Sequence, residues 1–232
     1  MRRSGAASGE TRLGSCRILI GREGADKLLP RETPVIIDTL RASSTLVTAL
    51  ACGVKEIIPV VSDEEALRFK DQGMVIAGES GGVKLSGYDL GNSPVELLQR
   101  MEQKPFQRMA FKTSNLVPLL IKLSQAWLCS SLNLKAVAAY AIGNDVPIIA
   151  VGGEHGIAED LAVAMALHAR LSGAPFDEQL ITHFIQESSA AGHLRTLGFS
   201  DDVRFIARVN IYNIIPYYDG HRITIAAASS GR

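Results

Sequence analysis

The segment Pro34–Asp38 (PVIID), followed at once by TLRASSTLVTALACG, most narrows what this chain can fold into. A short apolar run ending on a carboxylate suits a parallel strand buried on both faces. The hydroxyls of Ser43, Ser44 and Thr45 then offer helix N-caps, and Gly53 stops the helix that runs to about Cys52. Strand, polar turn, helix is one unit, and the unit recurs.

Lys55–Val61 reads as a strand in which Pro59 implies an edge position or a bulge. Ser62 with Glu65 forms a capping box opening a helix that ends near Gly73. Cys16–Gly21, Met74–Ala77, Arg108–Phe111, Trp127–Cys129 and Pro147–Val151 are further strands. Helices follow from Pro94, from about Leu116 to Ser124, from the Ser130–Asn133 cap to Ile142, and over Ile157–Leu171. Two or three further helices fall in Asp177–Glu187, His193–Leu197 and Asp201–Arg208, and the chain closes on a hairpin turning at Asp219 and Gly220. The alternation predicts an α/β fold of three layers, α/β/α, with a mainly parallel or mixed sheet. Residues 1–14 read as a disordered tail, and 15–232 as one domain. An offset of 70 aligns Ser44, Leu46, Val47, Leu50 and Ala66 with identical residues Ser114, Leu116, Val117, Leu120 and Ala136, which suggests an internal duplication.

Composition excludes several partners. Lys plus Arg equals Asp plus Glu, 24 each, so no charge excess draws the chain to nucleic acid or an anionic membrane. No apolar run approaches the roughly 18 residues of a membrane span. Cys16, Cys52 and Cys129 are widely spaced and odd in number, which reads as reduced thiols and a cytoplasmic location. The first residues carry two arginines without an apolar stretch behind them, so they do not read as a signal peptide.

Gly78–Pro94 (GESGGVKLSGYDLGNSP) is the longest polar segment, seventeen residues with five glycines. A loop of that length is usually functional or disordered. Val83, Leu85, Tyr88 and Leu90 would anchor it on a core, so it reads as an active-site loop, with an ordered surface loop as the competing reading. Ser93 and Pro94 close it as N-cap and first helical residue, with Glu96 two places on.

Loops leaving the carboxyl ends of parallel strands share one edge, where open α/β sheets bind ligands. Asp38–Thr45, Glu79–Ser93, Lys112–Asn115 and Gly152–Asp160 qualify. Arg41 beside three hydroxyls suits a phosphate or carboxylate, although an ordinary cap with an Asp–Arg pair fits the same residues. The carboxylates Asp38, Glu79, Asp89, Glu159 and Asp160 are hard oxygen donors of the kind magnesium takes, while Glu159 and Asp160 also fit a helix N-terminus for structural reasons. His155 is a candidate acid or base, or an idle loop residue. No P-loop, GxGxxG, GxSxG, CxxC or HExxH is present.

Together IIDTLRASSTLVTAL, KEIIPV, AGESGGVKLSGYDLGNSP, SSLNLKAVA and GG..G..ED resemble, in the same order, the 2-phosphosulfolactate phosphatase (ComB-like) family. The likeness spans Pro34 to Asp160 and continues through GHLRTLGFSDDV to Pro216. It implies a ComB-like phosphatase domain and Mg2+-dependent hydrolysis of a small anionic phosphate monoester, 2-phosphosulfolactate, to sulfolactate and phosphate on the route to coenzyme M. A homo-oligomer is compatible with this. Carried over, Asp38, Glu79 and Asp160 bind magnesium directly or through water. Arg41 with Ser43, Ser44 and Thr45 holds phosphate or sulfonate, and Asp89 orients water or acts as base. Asn92, Ser93, Asn115 and Asn133 complete the substrate site. Attack by water and covalent attack by Asp38 both remain open. Two motifs depart: Ser80 stands where the family has the Arg of GER, and KTSNLV (112–117) replaces a TTNGT-like loop. The alternative is therefore a catalytically impaired member that binds a small anion or a partner.

Overall fold

The computed structural model describes residues 16–226, so the tail expected over residues 1–14 lies outside the described residues. Among the described residues ten strands make one sheet: β1 (Cys16–Ile20), β2 (Val35–Ile37), β3 (Glu56–Pro59), β4 (Val75–Ser80), β5 (Val83–Lys84), β6 (Arg108–Lys112), β7 (Ala126–Cys129), β8 (Val146–Ala150), β9 (Pro216–Tyr218) and β10 (Ile223–Ile225). Their order is β1-β8-β2-β7-β9-β10-β3-β6-β4-β5. The helices are α1 (Ala42–Ala51), α2 (Asp63–Asp71), α3 (Pro94–Gln103), α4 (Leu116–Leu120), α5 (Leu134–Ala141), α6 (Ala158–Leu171), α7 (Glu178–Glu187), α8 (Ser189–Thr196) and α9 (Ser200–Ile206).

The order is a palindrome. Outward from the β9–β10 hairpin it reads β7, β2, β8 on one side and β3, β6, β4 on the other, and strands within each group are parallel. Along the chain, β2-α1-β3-α2-β4 repeats as β6-α4-β7-α5-β8, the topology of a duplication in which each unit sends one strand to the far half. The hairpin is antiparallel to β7 and to β3, so the halves run in opposite senses. Five strand steps separate β2 from β6. At roughly 20–25° each they accumulate about 100–125° of twist, enough to swing the carboxyl ends of both halves toward one cleft.

The pleat sorts side chains by layer. Ile36 faces α1, α3 and α4 in a core that also holds Leu46, Ile57, Phe111 and Leu128. Val35 and Ile37 point the other way, onto α5, α6, α7 and α9. On that second face α2 covers β3, β4 and β6 through Ala66, Val60, Ile76 and Ala110. Val35, Ile36 and Ile37 are all 0% exposed. Burial stabilises each by about 1.5–3 kcal/mol, and a charge at Ile36 would break the central layer.

Three expectations change. Pro59 is neither at an edge nor at a bulge: β3 is internal, but β10 pairs with it only at Ile57. Val60 N–H donates to Phe111 O, so by alternation the missing Pro59 N–H falls on the β10 side, beyond that strand's reach. The helix expected over Leu116–Ser124 ends at Leu120. Finally, Gly78–Pro94 is no continuous loop. β4 runs on through Ser80, turns at Gly81 and Gly82 with φ of 59° and 83°, and returns as β5, a two-residue hairpin whose geometry needs glycine. The remainder lies along β4, with Gly78 N–H donating to Leu90 O and Tyr88 and Leu90 buried, while Val83 is exposed.

Candidate active site

Asp38 is the first residue beyond β2, and the turn after it is built to hold its carboxylate. Its backbone N–H donates to Ser43 Oγ at 3.0 Å, and its Oδ1 accepts from Ala42 N–H at 3.2 Å. Ser44 Oγ donates to Thr39 O and Thr45 Oγ1 to Arg41 O. Ser43, Ser44 and Thr45 are 0% exposed and lie inside the first turn of α1, not at its cap. Their hydroxyls face backbone and not the cleft, because a buried hydroxyl must find a partner and the preceding turn supplies it.

Glu159 and Asp160 enter from the first turn of α6. Asp160 accepts from Thr39 N–H at 2.6 Å through Oδ1 and from Gly152 N–H at 2.8 Å through Oδ2, joining the β2 and β8 ends. Glu159 Oε2 is buried with no hydrogen-bond partner among the described residues. Burial, and next the charge of Asp160, hold Asp38 well above the usual carboxylate range. Burial and then the Glu159 charge push Asp160 up to about 7. Glu159 rises through burial and then the Asp38 charge, partly offset by hydrogen bonds from its own backbone N–H and from Ser188.

Glu79 comes from β4. Its Oε1 accepts from Ser114 N–H, and its Oε2 from Gly82 N–H at 2.8 Å and Ser114 Oγ at 3.3 Å. This requires β4 and β6 to approach closely at Gly78, where a Cβ would stand 2.6 Å from Lys112 O. Thr113 Oγ1 accepts from Val117 N–H and so caps α4, while the Asn115 side chain, with no hydrogen bond among the described residues, borders the cleft.

Arg41 is not an open anion site. Its Nη1 donates to Asp202 Oδ2 at 2.8 Å and its Nη2 to Gly82 O at 2.6 Å, with the guanidinium 4.0 Å from the centre of the Phe199 ring. Asp202 Oδ1 also accepts from Ser93 Oγ and Val95 N–H. The buried pair thus ties the starts of α1 and α3 and the β4–β5 turn to α9. Asp202 escaped the sequence reading as a site residue; its signal is the acidic pair opening α9 inside GFSDDV.

These elements enclose a cavity of about 180 Å3, lined among others by Asp38, Arg41, Glu79, Asn92, Asn115 and His193. A contiguous recess adds Gly152, Gly153, Gly156, Glu159 and Asp160. Asn92 Oδ1 is buried without a partner among the described residues. Three predicted site residues stand elsewhere. Asp89 does not line the cleft: its Oδ2 accepts from Ile76 N–H and its Oδ1 pairs with Lys70 at 2.9 Å. Asn133 is a capping residue, accepting from Ser130 N–H and donating to Leu128 O and Ile214 O, all away from the cleft. Ser93 is spent on Asp202 and on capping α3.

No ready-made group of three His, Cys, Asp or Glu ligands exists among the described residues. The donor set nonetheless fits a hard cation that keeps several waters. Glu159 Oε2 is an orphaned buried oxygen, and Asp38 Oδ2 takes none of the bonds that fix Oδ1. Asp160 and Glu79 differ, since both oxygens of each already accept N–H groups.

The sequence pattern of the 2-phosphosulpholactate phosphatase family matches residues 22–221. A "probable 2-phosphosulfolactate phosphatase" of Thermotoga petrophila is 34% identical over 201 residues, covering 79% of this chain and 88% of the relative. One from Carboxydothermus hydrogenoformans is 32% identical, with 81% and 85% covered. The "2-phosphosulfolactate phosphatase" of Methanothermobacter thermautotrophicus is 32% identical over 207 residues, covering 82% and 88%. No helix among the described residues is long and apolar enough to cross a membrane. With the match running through both halves of the sheet and the cleft between them, this chain belongs to the 2-phosphosulpholactate phosphatase family.

Proposed function

We propose that this chain is a magnesium-dependent phosphatase of a small anionic phosphate monoester, with 2-phosphosulfolactate as first candidate and sulfolactate and phosphate as products. The observation that carries the reading is the convergence of Asp38, Glu79, Glu159 and Asp160 on one small cleft, with a buried Glu159 oxygen left unpartnered among the described residues. Buried carboxylates that raise one another's pKa are groups awaiting a cation. Asp38 and Glu159 would hold it, and magnesium there supplies charge neutralisation for the phosphoryl oxygens. Asp160 and Glu79 keep the strand ends and the β4–β5 turn in register around it. Asn92 and Asn115 present amides to substrate oxygens.

A purely anion-binding role is the second reading, favoured by Ser80, which is exposed at the hairpin and uncharged where the family resemblance implies the Arg of a GER motif. Phosphate release from 2-phosphosulfolactate, measured with magnesium and with chelator, separates the two. Metal-dependent release that drops by about 10² or more in Asp38→Ala supports hydrolysis. Tight binding of 2-phosphosulfolactate with no release would rule hydrolysis out.

A further inference from the structure

The ionisable residues lining the larger cavity are Asp38, Arg41, Glu79, Glu154, His155 and His193. Three are acids. The single guanidinium is already paired with Asp202, roofed by Phe199 and bonded to a carbonyl. Two imidazoles remain, and they are stacked on each other: the rings of His155 and His193 lie 3.8 Å apart, 26° from parallel. Neither ring hydrogen-bonds to the protein among the described residues.

The stack is assembled from distant parts of the chain. His155 sits at the tip of a tight turn closed by reciprocal bonds between Gly153 and Gly156, at 2.9 and 3.1 Å. His193 comes from α8, beside the glycine turn of the β4–β5 hairpin, where a Cβ on Gly82 would lie 3.7 Å from His193 Nε2. Stacking holds both rings by their faces and leaves ring N–H edges for a ligand. Two cationic rings so close would repel each other. An anion set against both edges removes that penalty.

We propose that the stacked His155–His193 pair is the anion-recognition element of this cleft, receiving a sulfonate, carboxylate or phosphoryl group of a small polyanionic ligand. The phosphatase reading supplies the identity of that ligand; the site itself rests on the stack. The test uses the full chain and calorimetry with 3-sulfolactate and, separately, inorganic phosphate, alongside KM and kcat for 2-phosphosulfolactate. His155→Gln and His193→Gln should each weaken binding and raise KM by about 10- to 100-fold, as expected for losing a charged hydrogen bond, with kcat changed far less. His193→Lys, which supplies a cationic N–H donor, should recover most of the affinity.

Loss confined to sulfolactate assigns the pair to the sulfonate or carboxylate end, and loss confined to phosphate assigns it to the phosphoryl group. Sulfolactate binding that depends on both histidines, without hydrolysis of any phosphomonoester, would sink the phosphatase reading and leave the pair intact. Folded glutamine variants with wild-type KM and wild-type affinity for both probes would overturn the proposal, as would a wild-type chain that binds neither probe.

Discussion

Two hydroxyl-rich turns face each other across the cleft, one after β2 (Thr39–Thr45) and one after β6 (Lys112–Asn115). An offset of 70 residues lays Ala42–Thr45 over Lys112–Asn115, and it also superimposes β3 on β7 along the sequence. They nevertheless do different things. After β2 the chain goes straight into a helix, and Ser43, Ser44 and Thr45 become its buried first turn. After β6 the helix begins four residues later in that register, so Thr113, Ser114 and Asn115 stay outside it and line the cleft. Equal chemistry at equal sequence positions thus becomes scaffold in one half and site in the other. What differs is whether the backbone is helical, because a helical turn directs its hydroxyls at its own carbonyls.

The largest effect should come from the scaffold turn. Arg41→Ala strands Asp202 in a buried position, which typically costs about 3–5 kcal/mol. At 2–4 °C per kcal/mol the melting temperature should fall by roughly 10 °C. A variant that melts normally and merely binds substrate poorly would break the comparison, since Arg41 would then belong to the site.

Next in size is a pH effect seated on the acids between the turns. Folding raises the pKa of Asp160 to about 7, and that of Asp38 in the same direction, through burial and mutual charge. Unfolded, an aspartate titrates near ~3.9. The folded state therefore binds these protons more tightly, so their contribution is complete below about pH 4 and is lost as pH rises toward 7. Thermal melts in chelator should show stability declining from pH 5 to pH 8. Asp38→Asn, which keeps an oxygen for Ala42 N–H, should melt higher than wild type at pH 8. Added magnesium should rescue wild type more at pH 8 than at pH 5, reaching ~2.7 kcal/mol at 100 times its Kd. A flat pH profile in chelator would contradict this.

A matched pair of substitutions sharpens the contrast directly. Ser44→Ala removes a buried hydrogen bond and should lower stability by about 1–2 kcal/mol with little change in kcat. Asn115→Ala should do the reverse, raising KM by roughly 10-fold at nearly constant melting temperature. Both substitutions falling on the same observable would show that the turns are not specialised. The smallest effect belongs to Asp89→Asn, which loses only a partly exposed pair with Lys70. It should change stability by less than ~1 kcal/mol and kcat by less than about twofold.

Much of this molecule was legible in one dimension, and the reason is local. Strand alternation, the Ser62 and Ser93 caps and the Asp219–Gly220 turn depend on nearest neighbours, and the structure contains all of them. Asp38, Glu79 and Asp160 stand out because a polar residue at a strand end or helix start is visible as a break in pattern. Asp89 and Asn133 stand out for the same reason, each in a conspicuous string, yet the structure sets them outside the cleft, Asp89 held by Ile76 N–H and Lys70 and Asn133 by backbone groups. Tertiary structure alone decided the rest. It set the C-terminal hairpin between two half-sheets, closed Arg41 onto Asp202 across 161 residues, and stacked His155 on His193. Those contacts are set by sheet twist and strand order, which a single sequence does not encode residue by residue.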